Sequence, residues 1–178
     1  TGKTYGALST VIDDHIKFML MRRTQAQADL INKPEFSPFK PVCDDKNIEI
    51  TTSAVSKYNA KFTLDEQTIG YTCALSTIAN MRGFDASDVK LLIYDEFIPE
   101  RHERPIKSEG SAFLNAYETM NRNRELKGKR PLTVLCLANA FDIANPIFLE
   151  LGLVGIAEKM KQQGRELYID REKSILIL

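Results

Sequence analysis

Two clusters of residues in this chain could do phosphate chemistry together. The first is Gly2-Lys3-Thr4. A glycine beside a lysine lets bare backbone curl around an anion at a helix N-terminus, where amide N–H groups and the helix dipole favour negative charge. Lys3 would then reach β- and γ-phosphates as a point charge, and the Thr4 hydroxyl would bind Mg²⁺. The second cluster is Asp95-Glu96, about ninety positions on, directly after the apolar run Leu91-Leu92-Ile93-Tyr94. Such a run suits a strand buried on both faces of a parallel sheet, and acids just past its C-terminal end lie where these sheets bind ligands. Asp95 would hold the metal through its water shell, and Glu96 would act as general base on the attacking water. An Asp-Glu pair after a core strand is also a common surface feature. Its order and distance from Gly-Lys-Thr favour nucleotide hydrolysis, with ATP and Mg²⁺ as the groups bound.

The elements that must position these residues alternate between strand and helix. A helix is expected from Thr4 to about Ile16, a buried strand over Lys17–Met21 ending at Arg22-Arg23, and a short helix around Ala26–Ile31. A loop marked by Pro34, Pro38 and Pro41 follows. From Asn47 to Leu75 the pattern suggests a small antiparallel insertion with a turn at Asp65-Glu66. Further strands are expected over Leu91–Tyr94 and Leu132–Leu137, an amphipathic helix over Ser111–Asn121, and a closing pair over Leu167–Ile169 and Ser174–Leu178. This order implies an α/β, P-loop fold: a mainly parallel sheet flanked by helices.

Composition bounds the rest. The chain has 178 residues, 43% of them hydrophobic, enough for one globular domain with a full core. Its 24 Lys+Arg balance 24 Asp+Glu, so contact with a polyanion must come from local clusters. Cys43, Cys73 and Cys136 are odd in number and widely spaced, which points to reduced thiols. No stretch approaches the ~20 apolar residues of a membrane span, so no membrane partner is expected.

Several other residues have competing readings. Asn139 follows an apolar strand, level with the γ-phosphate in a P-loop fold, and could sense that phosphate or the attacking water; it would equally serve as a turn residue. Arg122 and Arg124 stand at a helix end, where cations suit the dipole, or one of them reaches a neighbouring subunit's γ-phosphate as an arginine finger. Arg22 ends a strand close to the expected nucleotide, where contact with nucleotide or with DNA is equally plausible. Arg101, Arg104 and Lys107 lie in a loop with Glu100 and Glu103, which could neutralise them.

The chain resembles the DNA-packaging ATPases of phi29-type phages, relatives of the large terminase subunits. The resemblance rests on Gly2-Lys3-Thr4, Arg22-Arg23, Ile93-Tyr94-Asp95-Glu96-Phe97-Ile98, Arg122-Asn123-Arg124-Glu125, and Cys136 to Ala140 running on to Asn145-Pro146-Ile147-Phe148. It implies a ring-forming motor, a pentamer in that family, that couples ATP hydrolysis to movement of double-stranded DNA into a prohead. Docking would be on the portal, with a packaging RNA as a possible further partner, in the host cytoplasm. By that resemblance Lys3 and Thr4 are Walker A, Asp95 and Glu96 Walker B, Asn139 part of the coupling motif and Arg122 the trans-acting finger. Arg101 falls on a pore-facing basic position and forms with Arg104 and Lys107 a candidate DNA-binding cluster, and Arg82 falls on an interface position that the family fills with Lys. Arg124 is a second expected interface residue. The chain begins inside G-x-x-x-x-G-K-[ST], so the expectation is a single ATPase domain over 1–178 with its P-loop truncated and the family's C-terminal nuclease-like domain absent. The alternatives are another P-loop translocase or helicase, or a nucleotide-binding assembly module with little turnover.

Overall fold

The computed structural model describes residues 2–81, 83–100, 102–122, 124–139 and 142–178. Gly2, with φ of 95°, supplies the left-handed backbone from which helix α1, Lys3–Asp13, departs. Strand β1, Phe18–Arg22, is buried along its whole length. Helix α2, Gln25–Ile31, begins with a reciprocal cap: Gln27 N donates to Thr24 Oγ1 at 3.3 Å, and Thr24 N donates to Gln27 Oε1 at 3.0 Å. The proline-marked segment, expected as a loop, holds a 3-10 turn over Pro34–Phe36 and helix α3, Lys40–Lys46. Pro34 and Pro41 stand in the first turns of these elements, where a missing N–H costs nothing and the fixed φ is already helical.

Strands β2 (Ile50–Ala54), β3 (Ala60–Leu64), β4 (Gln67–Ala74), β5 (Leu91–Asp95) and β6 (Thr133–Leu137) join β1 in one six-stranded sheet, ordered β2-β3-β4-β1-β5-β6. The strands β4, β1, β5 and β6 run parallel, and β2-β3-β4 run antiparallel. The expected antiparallel segment is therefore present, and it is continuous with the parallel strands because β4 pairs with β1, Leu20 lying opposite Thr72. Helix α4, Glu109–Asn121, covers one face. Two helices that the sequence pattern did not signal, α5 (Pro146–Glu150) and α6 (Val154–Gln163), follow β6. Strands β7 (Tyr168–Asp170) and β8 (Ile175–Ile177) form the expected closing antiparallel pair as a separate sheet. No helix among the described residues is long and apolar enough to cross a membrane.

The period of two along β1 sorts the core into two layers. Phe18 and Leu20 face α1, packing with Leu8, Val11, Phe39, Phe62 and Ile93. Met19 and Met21 face α4, packing with Leu92, Tyr94, Phe113, Ala116 and Met120. Each such fully buried side chain stabilises the fold by about 1.5–3 kcal/mol before entropy is counted. Continuing the same alternation past the core sends Arg22 towards the α1 side and Arg23 towards the α4 side.

Candidate nucleotide-hydrolysis site

The α1-facing side of the sheet's C-terminal edge gathers most of the residues singled out from the sequence. The N-terminus of α1 lies against the end of β5: Thr4 Oγ1 donates to Asp95 Oδ1 at 2.9 Å. Lys3 Nζ donates to Asn139 Oδ1 at 3.3 Å, at the exit of β6. Phe97 N donates to Leu137 O at 3.3 Å, tying the exits of β5 and β6 and so fixing Asn139 relative to Asp95-Glu96. Residues 91 and 136 positions apart in sequence thus meet at one sheet edge.

The two acids differ in environment. Asp95 is 2% exposed, and burial pushes its carboxyl above the usual range, opposed by the Arg22 charge and the Thr4 hydroxyl and reinforced by the charge of Glu96. Glu96 is largely open to solvent and has φ of 56°, a left-handed conformation that costs a non-glycine residue and is typical of functional positions. Arg22 bridges both: Nη2 lies 2.8 Å from Asp95 Oδ2, and Nη1 pairs with Glu96 Oε2. The Asp95 contact is one of charge, since no donor among the described residues is aimed at Oδ2 with hydrogen-bond geometry. The Arg22 guanidinium, for which a nucleotide or DNA contact is expected, is engaged with these two acids.

The Asp95 carboxylate, one oxygen of which is held by charge alone, and the Thr4 hydroxyl bonded to its other oxygen are the oxygen ligands that a hard divalent cation prefers. Thr4 and Asp95 therefore fit the Mg²⁺ expected of them.

The arginines after α4 part company. Asn121 Oδ1 accepts from Leu132 N at 2.7 Å, next to the start of β6, whereas Glu109 at the other end of α4 bonds Arg23 at the end of β1. Helix α4, about 20 Å long at 1.5 Å per residue, thus runs from the C-terminal to the N-terminal edge of the sheet. Arg122, its exposed C-cap, lies at the edge opposite Asp95 and lines an open groove of about 610 Å³ with Ile78, Ala112, Asn115 and Thr119. Arg124, expected at an interface, is instead 5% exposed: its guanidinium donates to Met120 O at 3.5 Å, Ala86 O at 3.2 Å and Val89 O. Those carbonyls lie in its own chain, which gives Arg124 a structural role within it. Arg82 and Arg101, and Ala140 of the expected coupling motif, lie outside the described residues. Arg104 and Lys107 are exposed.

Sequence reasoning missed Arg23, Glu109 and Tyr94, which form a buried polar group on the other face of the sheet. The one signal for it in the sequence is a second arginine at the end of a buried strand.

Residues 1–174 match the model of the Podovirus DNA encapsidation protein (Gp16) family. The chain belongs to that family. Over 158 residues it is 29% identical to the DNA packaging protein of Bacillus phage phi29, covering 86% of this chain and 44% of that protein. It is 30% identical over the same length to the DNA packaging protein of Bacillus phage B103, covering 45% of it. The chain therefore spans under half the length of these relatives. Among solved structures, the N-terminal domain of the DNA packaging ATPase from bacteriophage phi29 has the same fold, with a TM-score of 0.74 at 24% identity, covering 99% of this chain and 83% of that one.

Proposed function

We propose that this chain is the ATPase domain of a DNA-packaging motor and that the α1–β5–β6 edge is its hydrolysis site. The observation that carries this is the convergence of Thr4 on Asp95 and Lys3 on Asn139 at the C-terminal ends of parallel strands. Lys3 and the free amides opening α1 bind the β- and γ-phosphates. Thr4 and Asp95 hold Mg²⁺, which when bound neutralises charge on the phosphate oxygens. Glu96 accepts a proton from water as the water oxygen bonds to the γ-phosphorus and the β,γ-bridging P–O bond breaks, leaving ADP and inorganic phosphate. Asn139 hydrogen-bonds the γ-phosphate or that water. Because Arg22 engages Glu96, the base becomes available to water only when that contact opens.

The placement of Arg122 at the opposite sheet edge supports a role outside its own chain's site. In a homo-oligomeric ring it would enter the neighbour's nucleotide site as the finger, with a developing negative charge to stabilise. Membership of the encapsidation family, and relatives named DNA packaging proteins, support double-stranded DNA as the moved polymer. Work on a prohead in the host cytoplasm is proposed on the family resemblance. The pentameric ring, the portal and a packaging RNA are proposed partners on the family resemblance, and residues 1–178 are proposed as one ATPase domain of a longer protein.

Glu96→Gln tests the assignment, since it keeps shape and removes the base. ATP affinity should stay near that of the unaltered protein while kcat falls on the order of 10²-fold or more. Retention of half the turnover would place the base elsewhere, and tight ATP binding with background turnover in the unaltered assembled protein would favour an assembly module.

A further inference from the structure

Arg23 turns to the face opposite Arg22 and is fully buried. Its Nε and Nη2 donate to the two oxygens of Glu109 at 2.6 and 2.9 Å, and the Tyr94 hydroxyl donates to Glu109 Oε1 at 3.3 Å. This half is dry and anchored at the start of α4. The other half reaches into the basic segment between β5 and α4: Arg23 Nη1 donates to Glu103 Oε2 at 2.8 Å. Gln27 Nε2 donates to Glu103 Oε1 at 2.6 Å, and Glu100 N donates to Glu103 Oε2 at 2.9 Å. Three protein donors thus converge on one part-exposed carboxylate, more than a solvated surface acid collects, since most side-chain polar groups at a surface bond to water.

The consequence for charge is direct. Glu103, positioned in sequence to neutralise its neighbours, faces inward, and Glu100 sits 3.4 Å from the His102 ring. No carboxylate among the described residues pairs with Arg104 or Lys107, so the outer face of this segment is positive.

We propose that Arg23, Gln27 and Glu103 are positioning residues that latch the 97–108 segment to the end of β1, holding Arg104 and Lys107 in one place relative to the hydrolysis site for contact with the phosphate backbone of DNA. The proposal rests on the reading of this chain as a DNA-moving ATPase. The strand end that carries the latch also carries Arg22, so the DNA-facing segment and the two acids of the hydrolysis site are held by consecutive residues.

Gln27 allows a test in which the double exchange conserves charge. Gln27→Glu keeps the oxygen that caps α2 but sets two carboxylates face to face, and Glu103→Gln sets two amide donors face to face. The double variant restores the bond with its polarity reversed, because Gln at 103 donates to Glu at 27 while its oxygen still accepts from Arg23. The assay uses the full-length protein assembled on its prohead, linear double-stranded DNA, ATPase with and without DNA, and a denaturation midpoint for each variant. Acting only as surface charges, the two single changes would move DNA affinity in opposite directions, since one adds a negative charge and the other removes one. The latch requires both to lower DNA affinity and DNA-stimulated turnover, by about tenfold, with DNA-free turnover within about twofold and the double variant restored. A rise in DNA affinity for Glu103→Gln, or no recovery in the double variant, overturns the latch while DNA-stimulated turnover of the unaltered motor upholds the ATPase reading. Absence of any DNA effect in the unaltered motor overturns both.

Discussion

The C-terminal edge of the sheet and the far end of α4 use arginine in opposite ways. At the strand edge, Arg22 and Arg23 are both buried and both paired with carboxylates of the same chain. At the end of α4, Arg122 is exposed, and Arg124, two positions on, is buried against backbone carbonyls. Residue type and sequence spacing are nearly the same in the two places. What differs is which edge of the sheet each faces and what the chain itself supplies there. The arginines of the strand edge have carboxylate partners in their own chain, whereas Arg122 at the far edge is exposed.

Removing Arg124 should disturb this contrast most visibly. Arg124→Met takes the side-chain donor from the buried Val89 and Met120 carbonyls, while Ala86 O keeps the Val89 amide; at about 1–3 kcal/mol for each carbonyl, unfolding in urea should show a loss on the order of 3 kcal/mol. Arg122→Met, at an exposed cap, should stay within about 0.5 kcal/mol. Equal losses would mean that the two arginines share a structural role.

Arg22→Ala probes the strand-edge half. Arg22 is the charge that restrains the upward shift of the buried Asp95 carboxyl, so its loss raises that pKa further. A metal-holding Asp95 must be ionised, and the acid limb of the Mg²⁺-supported pH–rate profile should therefore move to higher pH. An ionised, buried Asp95 with a raised pKa opposes folding at neutral pH; this penalty shrinks as pH falls through its folded pKa and is gone below its unfolded value. An unmoved acid limb would detach Arg22 from Asp95 in the working enzyme.

The smallest effect belongs to the basic segment. Arg104→Ala with Lys107→Ala should flatten the plot of log DNA affinity against log salt by roughly 0.9 for each phosphate no longer neutralised. An unchanged slope would leave these residues as solvated surface.

Much of the site was legible in the sequence because its chemistry is carried by short motifs at strand and helix ends. Gly2-Lys3-Thr4 and Asp95-Glu96 needed only an apolar strand and a helix start to be brought together, and Asn139 needed only a second strand end. The clamp of Arg22 on both acids was not legible, since a pairing across 74 positions depends on which strands are neighbours. The burial of Arg124 was not legible because a cation at a helix end reads as solvated or dipole-paired, and nothing local reveals carbonyls 35 and 38 positions away. Helix α3 was hidden by prolines that serve as helix starts here rather than as breakers. Glycines at 152 and 155 obscured α6, whose first turn contains one of them.

If the nucleotide site is built within one chain and completed by the neighbour's Arg122, Lys3→Ala and Arg122→Ala should each abolish turnover in the assembled ring. Mixing the two inactive proteins is the decisive measurement, because some mixed interfaces then hold an intact Lys3 and an intact Arg122. ATPase activity should return at intermediate ratios and vanish at either extreme. No recovery at any ratio, with co-assembly of the two variants demonstrated, would contradict a finger acting between subunits.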